Sequence, residues 1–189
     1  MDLAALAFAT GWTSGINAWA TLAVLGVVAR LGGPEWVPTG LGDWWVIGLA
    51  ATMFCVEFVV DKVPWLDSAW DGISTFVRPV VGAVVAWKVA EAGGSLDPAV
   101  LAALGGGTAL ASHGVKSGVR AAANTSPEPF SNVAISTGED IGVVAVLLLA
   151  LAEPWVAFAV AAVALLVGLV VIVLLWRLVR RVRRRPGRT

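Results

Sequence analysis

The chain has 189 residues, 58% of them hydrophobic and only 14% charged, and its thirteen basic and thirteen acidic residues balance to zero. With a mean hydropathy of +0.84, it holds too few polar residues to clothe a soluble globule, so lipid must solvate much of its surface. The single cysteine, Cys55, excludes an intrachain disulfide and a cysteine metal cluster.

Six apolar segments follow in chain order. The first, 3–31, begins just after Met-Asp, with no basic region or cleavage site before it, and reads as a span, not a removable signal. The second is 44–60. Residues 64–78 then place Trp65, Ala69, Trp70, Ile73 and Val77 at helical spacing, with Asp67, Asp71 and Ser74 on another face. That pattern predicts an interfacial or re-entrant amphipathic helix, kinked by Pro79 into the third segment, 77–92. The fourth is 98–123. Residues 124–140 are rich in Ser, Thr, Asn and Pro and read as irregular. The fifth, 141–152, is too short to cross alone, so its flank from Ser136 to Asp140 must lie partly at membrane depth. The sixth, 155–176, is uncharged with Trp at each end, and at roughly 30 Å it matches the hydrocarbon core.

The tail that follows carries Arg177, Arg180, Arg181, Arg183, Arg184, Arg185 and Arg188, which assigns it to the cytoplasm by the positive-inside rule. Six spans then bring the N-terminus to the same side. The loops agree: Glu35, Asp43, Glu91, Asp97 and Glu153 fall in outer connections, while Lys62, Arg78, Lys116 and Arg120 gather on the inner side. Arg30 and Lys88 are exceptions near span ends, from which long side chains snorkel.

The pattern GxxSGxxAxA occurs twice, starting at Gly11 and at Gly114. Pro64-Trp65 after the second segment is echoed by Pro154-Trp155 after the fifth. Three spans per copy make the expected architecture all-α, a 3+3 inverted repeat of six spans. Its parts would be a first repeat at 1–95, a second at 96–176 and a basic tail at 177–189. Aligned copies pair Thr13 with Lys116 and Asn17 with Arg120, each set spaced i, i+4 on one helix face. The glycine pairs Gly11/Gly15 and Gly114/Gly118 would allow close helix approach. Two cations held together in a low-dielectric place invite an anion; the plain alternative is packing glycines with Lys116 and Arg120 snorkelling to headgroups.

Glu57 and Asp61 are also i, i+4, and Glu139 and Asp140 open the fifth segment, where the helix dipole favours acids. Glu57 lies inside an apolar run, where an ionisable group is functional or paired; its candidate partners are Lys62, Arg78, Lys116 and Arg120. A carboxylate cluster could equally bind a cation through oxygen ligands. His113 is the only histidine, more often a packing residue than a ligand in such a setting, with a proton relay to Glu57 or Asp140 as the functional reading. A lipid-phosphatase pattern fails: Arg78-Pro79 is present, but Asp71 stands where a lysine is needed and a second histidine is lacking. No Gly-x-Ser-x-Gly and no His-Glu-x-x-His occurs, so no enzyme is expected.

The segments Ser-Gly-Ile-Asn-Ala, Val-Glu-Phe-Val-Val-Asp-Lys-Val-Pro-Trp-Leu-Asp, Arg-Pro-Val-Val-Gly-Ala and Ser-Pro-Glu-Pro-Phe-Ser-Asn together resemble a bacterial membrane family catalogued as domain of unknown function 4126. The resemblance runs from about Gly11 to Leu151, is most specific between Glu57 and Asp67, and leaves the basic tail outside. It implies a compact multi-pass protein of the bacterial inner membrane and supplies no site residues.

The expected function is binding or transport of a small, anionic solute or a lipid phosphate between the two repeats. Thr13, Asn17, Lys116, Arg120, Asn124, Ser131 and Asn132 would hold the solute. Glu57, Asp61, His113, Glu139 and Asp140 would couple an ion. The alternative is a scaffold that oligomerises through the glycine faces and binds anionic lipid or a partner through its tail. Membrane lipids and a second copy of the chain are the expected partners, with no nucleic acid, cofactor or metal.

Overall fold

A computed structural model describes residues 2–123 and 130–183. They form seven α-helices and a short 3-10 turn, Thr39–Gly42, with no strand among the described residues. The helices are α1 (Leu3–Ile16), α2 (Ala18–Arg30), α3 (Trp44–Val60), α4 (Pro64–Gly93), α5 (Pro98–Ala123), α6 (Phe130–Ala152) and α7 (Pro154–Arg183).

The first apolar segment is not one span. It breaks at Asn17, whose backbone is extended (φ −151°, ψ 99°). Asparagine competes with the helix by bonding nearby backbone and is favoured at an N-cap. Here its side-chain oxygen accepts the Ala20 N–H at 2.9 Å, ending one helix and starting the next. α1 starts with Leu3 packed over Gly93 and ends with the Gly15 carbonyl on Arg78, so it runs antiparallel to α4. α2 returns: Leu22 and the segment 37–41 beyond it face Val80–Ala92 of α4. The pair is a helical hairpin whose tip, Asn17, lies beside the middle of α4. A separate interfacial or re-entrant helix was expected at 64–78.

Residues 64–78 instead continue through Pro79 as one helix, α4, begun by Pro64 at its first turn and ended by Gly94 in the left-handed region (φ 65°). Its amphipathicity is inverted. Asp67, Asp71, Ser74 and Arg78 are buried, whereas Ile73 and Phe76 are 62% and 78% exposed. α5 repeats the pattern, with Thr108, Ser112, His113, Lys116 and Arg120 inside and Val100 and Leu110 outside. Polar groups in and large apolar groups out is the opposite of a water-soluble bundle. Three helical stretches, Leu66–Gly93, Val133–Ala152 and Pro154–Leu178, are long and apolar enough to cross a bilayer, which is compatible with a membrane protein. The fifth segment reaches that length because helix α6 extends back through Ser136–Asp140, a stretch read from its polar residues as irregular.

α1 is the axis of the bundle. It is buried on almost every side, as a helix apolar all round must be. Two of its hydroxyls are satisfied internally, with Thr10 donating to the Leu6 carbonyl and Thr13 to the Thr10 carbonyl, whereas the buried Ser14 hydroxyl has no partner. Gly11 lies against Gly105 and Gly15 against Ala109 and Ser112 of α5, so closely that a Cβ on either would fall on α5 backbone. Trp12 and Ile16 carbonyls accept from Ser112 and Lys116. Rising numbers on α1 meet rising numbers on α5, so the two motif-bearing helices run the same way. The upside-down relation expected of the two copies is not found between them. α7 also runs with α5, since Gly168 packs on Val115 and Ile172 on Gly118. The chain therefore starts at the Gly93 end of the bundle and leaves α7 at the Arg120 end. The hairpin thus leaves the start of α1 and the end of α7 at opposite ends of the helix bundle.

Candidate functional site

The hairpin tip sits in a cluster of buried charges. α1 ends in exposed carbonyl dipoles, and two cations cover them: Arg78 Nη1 donates to the Gly15 carbonyl at 3.1 Å and Lys116 Nζ to the Ile16 carbonyl at 2.9 Å. α2 begins beside a carboxylate, with Asn17 Nδ2 donating to Asp140 Oδ1 at 3.0 Å. Positive charge at a helix C-terminus and negative charge at an N-terminus each favour the helix dipole. The broken helix is therefore held by charges of the correct sign on both limbs.

The cations are shared among carboxylates from three helices, α3, α4 and α6, and the turn after α3. Glu57 Oε1 accepts from Arg78 Nη2 at 2.6 Å and from Lys116 Nζ at 3.4 Å. Lys116 also donates to Asp61 Oδ2 at 2.9 Å. Arg120 donates to the Asp61 carbonyl at 2.7 Å, to Asp61 Oδ2 at 3.0 Å, to Asp67 Oδ1 at 3.3 Å and to Glu139 Oε2 at 2.6 Å. Glu139 Oε2 lies 3.7 Å from Lys116 Nζ as well, so it bridges the two cations. Asp71 is 3.7 Å from Arg78. Lys62 stands at the rim, its ammonium over the Phe58 ring and 3.5 Å from Ser136 Oγ. Burial alone would raise the Asp61 carboxyl, but the Lys116 and Arg120 charges outweigh it and hold the group below the ordinary carboxylate range.

His113 belongs to the same network. Arg78 Nη1 lies 2.6 Å from His113 Nδ1. A guanidinium can only donate, so Nδ1 accepts and the ring proton sits on Nε2. Nε2 then donates to the Asp71 carbonyl at 3.2 Å or to Thr75 Oγ1 at 3.0 Å. The imidazole is neutral in this arrangement and locks Arg78 toward Glu57.

Of the residues singled out in the sequence, Asn17, Glu57, Asp61, His113, Lys116, Arg120, Glu139 and Asp140 converge here. Thr13 does not; it is buried but bonded to its own helix. Asn124 and the side chains of Ser131 and Asn132 lie outside the described residues. Lys116 and Arg120 were expected to present free charge to an anion, yet carboxylates of the chain already occupy both. The site also holds Arg78, expected only as a partner of Glu57, and Asp67 and Asp71, which lie outside the expected set. Their signal was present: Asp67, Asp71, Ser74 and Arg78 repeat at 4-3-4 spacing on one face.

Several carboxylate oxygens are buried without a hydrogen-bond partner, among them Glu57 Oε2, Asp61 Oδ1 and Asp140 Oδ2. The carboxylates Glu57, Asp61, Asp67, Asp71, Glu139 and Asp140 outnumber the cations Arg78, Lys116, Arg120 and rim Lys62. No three acidic, histidine or cysteine groups among the described residues converge as metal ligands.

Comparison with known proteins returns neither a curated relative nor a solved structure that matches. Residues 4–180 match the family described as Domain of unknown function (DUF4126). The match runs beyond the 11–151 stretch that carries the resemblance and takes in the start of the basic tail. Because it covers nearly the whole length, the chain belongs to the DUF4126 family.

Proposed function

We propose that the protein is an integral membrane protein that binds a small anion at the hairpin tip, as a step in moving or sensing that anion. The observation that carries the reading is Glu139. Its Oε2 bridges Lys116 and Arg120, and its side chain is 15% exposed where both cations are sealed. It occupies the place a phosphate or carboxylate would take between two cations.

Glu139 is then an internal stand-in for the solute. An incoming anion that displaces it takes over Lys116 and Arg120. Position supports it too: Lys116 follows Val115, which packs on Gly168 inside the uncharged 155–176 run, and an ionisable group beside such a run is a functional site by default. A free anion and a lipid phosphate share the chemistry required.

The scaffold reading draws less support. Gly11 and Gly15 are spent on α5 and Gly118 on Ile172 of α7. That leaves Gly114 as the outward member of the two pairs.

Calorimetric titration of the detergent-solubilised protein with inorganic phosphate tests the proposal. Wild type should bind phosphate, and Glu139→Gln, which removes the bridging charge from both cations, should bind it more tightly. Lys116→Ala should not bind at all. A folded Glu139→Gln that binds no more tightly than wild type, or a folded Lys116→Ala that binds as wild type does, overturns it.

A further inference from the structure

We infer that the cleft between α2 and α4 at the Gly93 end is a binding site for a phospholipid with an amine headgroup, of the phosphatidylethanolamine type. The site begins at Val80, two residues beyond Arg78, runs along α4 away from the charged cluster to Ala92, and does not depend on the cluster's role. Its volume is about 770 Å³, inside the range of roughly 300–1,000 Å³ that small-molecule sites occupy. Leu22 forms one wall, Val81, Val84 and Val85 form the other, and Val37 and Leu41 close the end. The closing segment is a firm lid, since Trp36 and Val37 are buried in the core and the Val37 N–H bonds the Pro34 carbonyl at 2.9 Å. An apolar slot on the outer face of a lipid-solvated bundle is filled by what surrounds it, an acyl chain.

The mouth selects the headgroup. Glu35 stands on one lip, and Lys88 and Glu91 on the other. Glu91 accepts from Lys88 Nζ and Trp87 Nε1, both at 2.7 Å, which fixes Lys88 beside an indole. An indole with a bonded N–H belongs at the headgroup level. Lys88 is placed for the lipid phosphate and Glu35 for an ammonium. Two acids to one base disfavour a headgroup of net negative charge.

Native mass spectrometry of the full chain in detergent, with equimolar dioleoyl phosphatidylethanolamine and dioleoyl phosphatidylglycerol, reads the preference directly. Wild type should retain the ethanolamine lipid about threefold to fivefold over the glycerol lipid, the worth of one exposed ion pair. Glu35→Gln, a surface change, should abolish the preference and keep the cleft. Leu22→Trp should fill the cleft and lose both lipids. Equal retention of the two lipids by wild type, or an undiminished preference in Glu35→Gln, overturns the assignment. So does undiminished lipid in a folded Leu22→Trp.

Discussion

The two copies of the GxxSGxxAxA pattern take different courses. In the first, α1 stops at Ile16, Asn17 turns the chain, and α2 runs back. In the second, α5 continues through Arg120 to Ala123. The small residues do comparable work: Gly11 and Gly15 admit α5, and Gly118 admits α7. What differs is the residue two places after the second glycine. Asparagine bonds its own backbone and leaves the helix, whereas arginine is a good helix former. The adjacent acids Asp140 and Glu139 then serve one copy each, Asp140 on Asn17 and Glu139 on Arg120. Spacing of small residues sets which helices touch, and the polar residue between them sets whether the backbone continues.

The sharpest way to break this comparison is a bulky residue at one glycine from each copy. At Gly15 the first added carbon falls on the Ala109 carbonyl and Ser112 Oγ, and backbone cannot step aside. Gly15→Leu is expected to prevent recovery of folded protein from detergent. Gly114 has nothing within 4 Å of an added Cβ, so Gly114→Leu should leave thermal stability within about 0.5 kcal/mol. Equal effects at the two sites would mean that the close α1–α5 approach is not what holds the axis.

Much of this site was legible. Glu57 inside an apolar run, and Lys116 with Arg120 at i, i+4, marked groups that lipid would not tolerate unpaired, and pairing is how they are found. The hairpin was not legible, because 3–31 reads as one apolar stretch of spanning length and a single asparagine carries no period. The inward acids of α4 were misread for a related reason. An amphipathic pattern says that two faces differ, not which one meets the solvent, and with lipid outside the polar face turns in. An opposite orientation was not found between the two motif helices, because the break at Asn17 adds a helix between them and α1 and α5 run the same way.

A smaller effect is expected from Arg120, the second copy's counterpart of Asn17. Arg120→Met leaves Asp61, Asp67 and Glu139 short of a partner, and breaking a buried pair of this kind costs about 3–5 kcal/mol. The pH dependence follows from Asp61, whose folded carboxyl is held below its unfolded value of about 4. Its contribution is fully present above that unfolded value and is lost as pH falls through the folded one. Removing Arg120 weakens the depression, so the acid limb of a stability–pH curve should move to higher pH. An unmoved limb in a folded Arg120→Met would assign the acid sensitivity to another group.

The mildest change probes the first copy at the same aligned position. Asn17→Ala removes the cap on Ala20 and the donor to Asp140 together. Loss of an N-cap costs about 1 kcal/mol, and a buried acceptor left bare costs about 1–3 kcal/mol more. Asp140→Asn separates the two contributions. In that background Asn17→Ala should cost only about the cap, because no charge remains to be stranded at the start of α2. If instead the two changes add without interaction, the Asn17–Asp140 bond contributes nothing to the hairpin tip. The α2 dipole would then be answered by the cap alone.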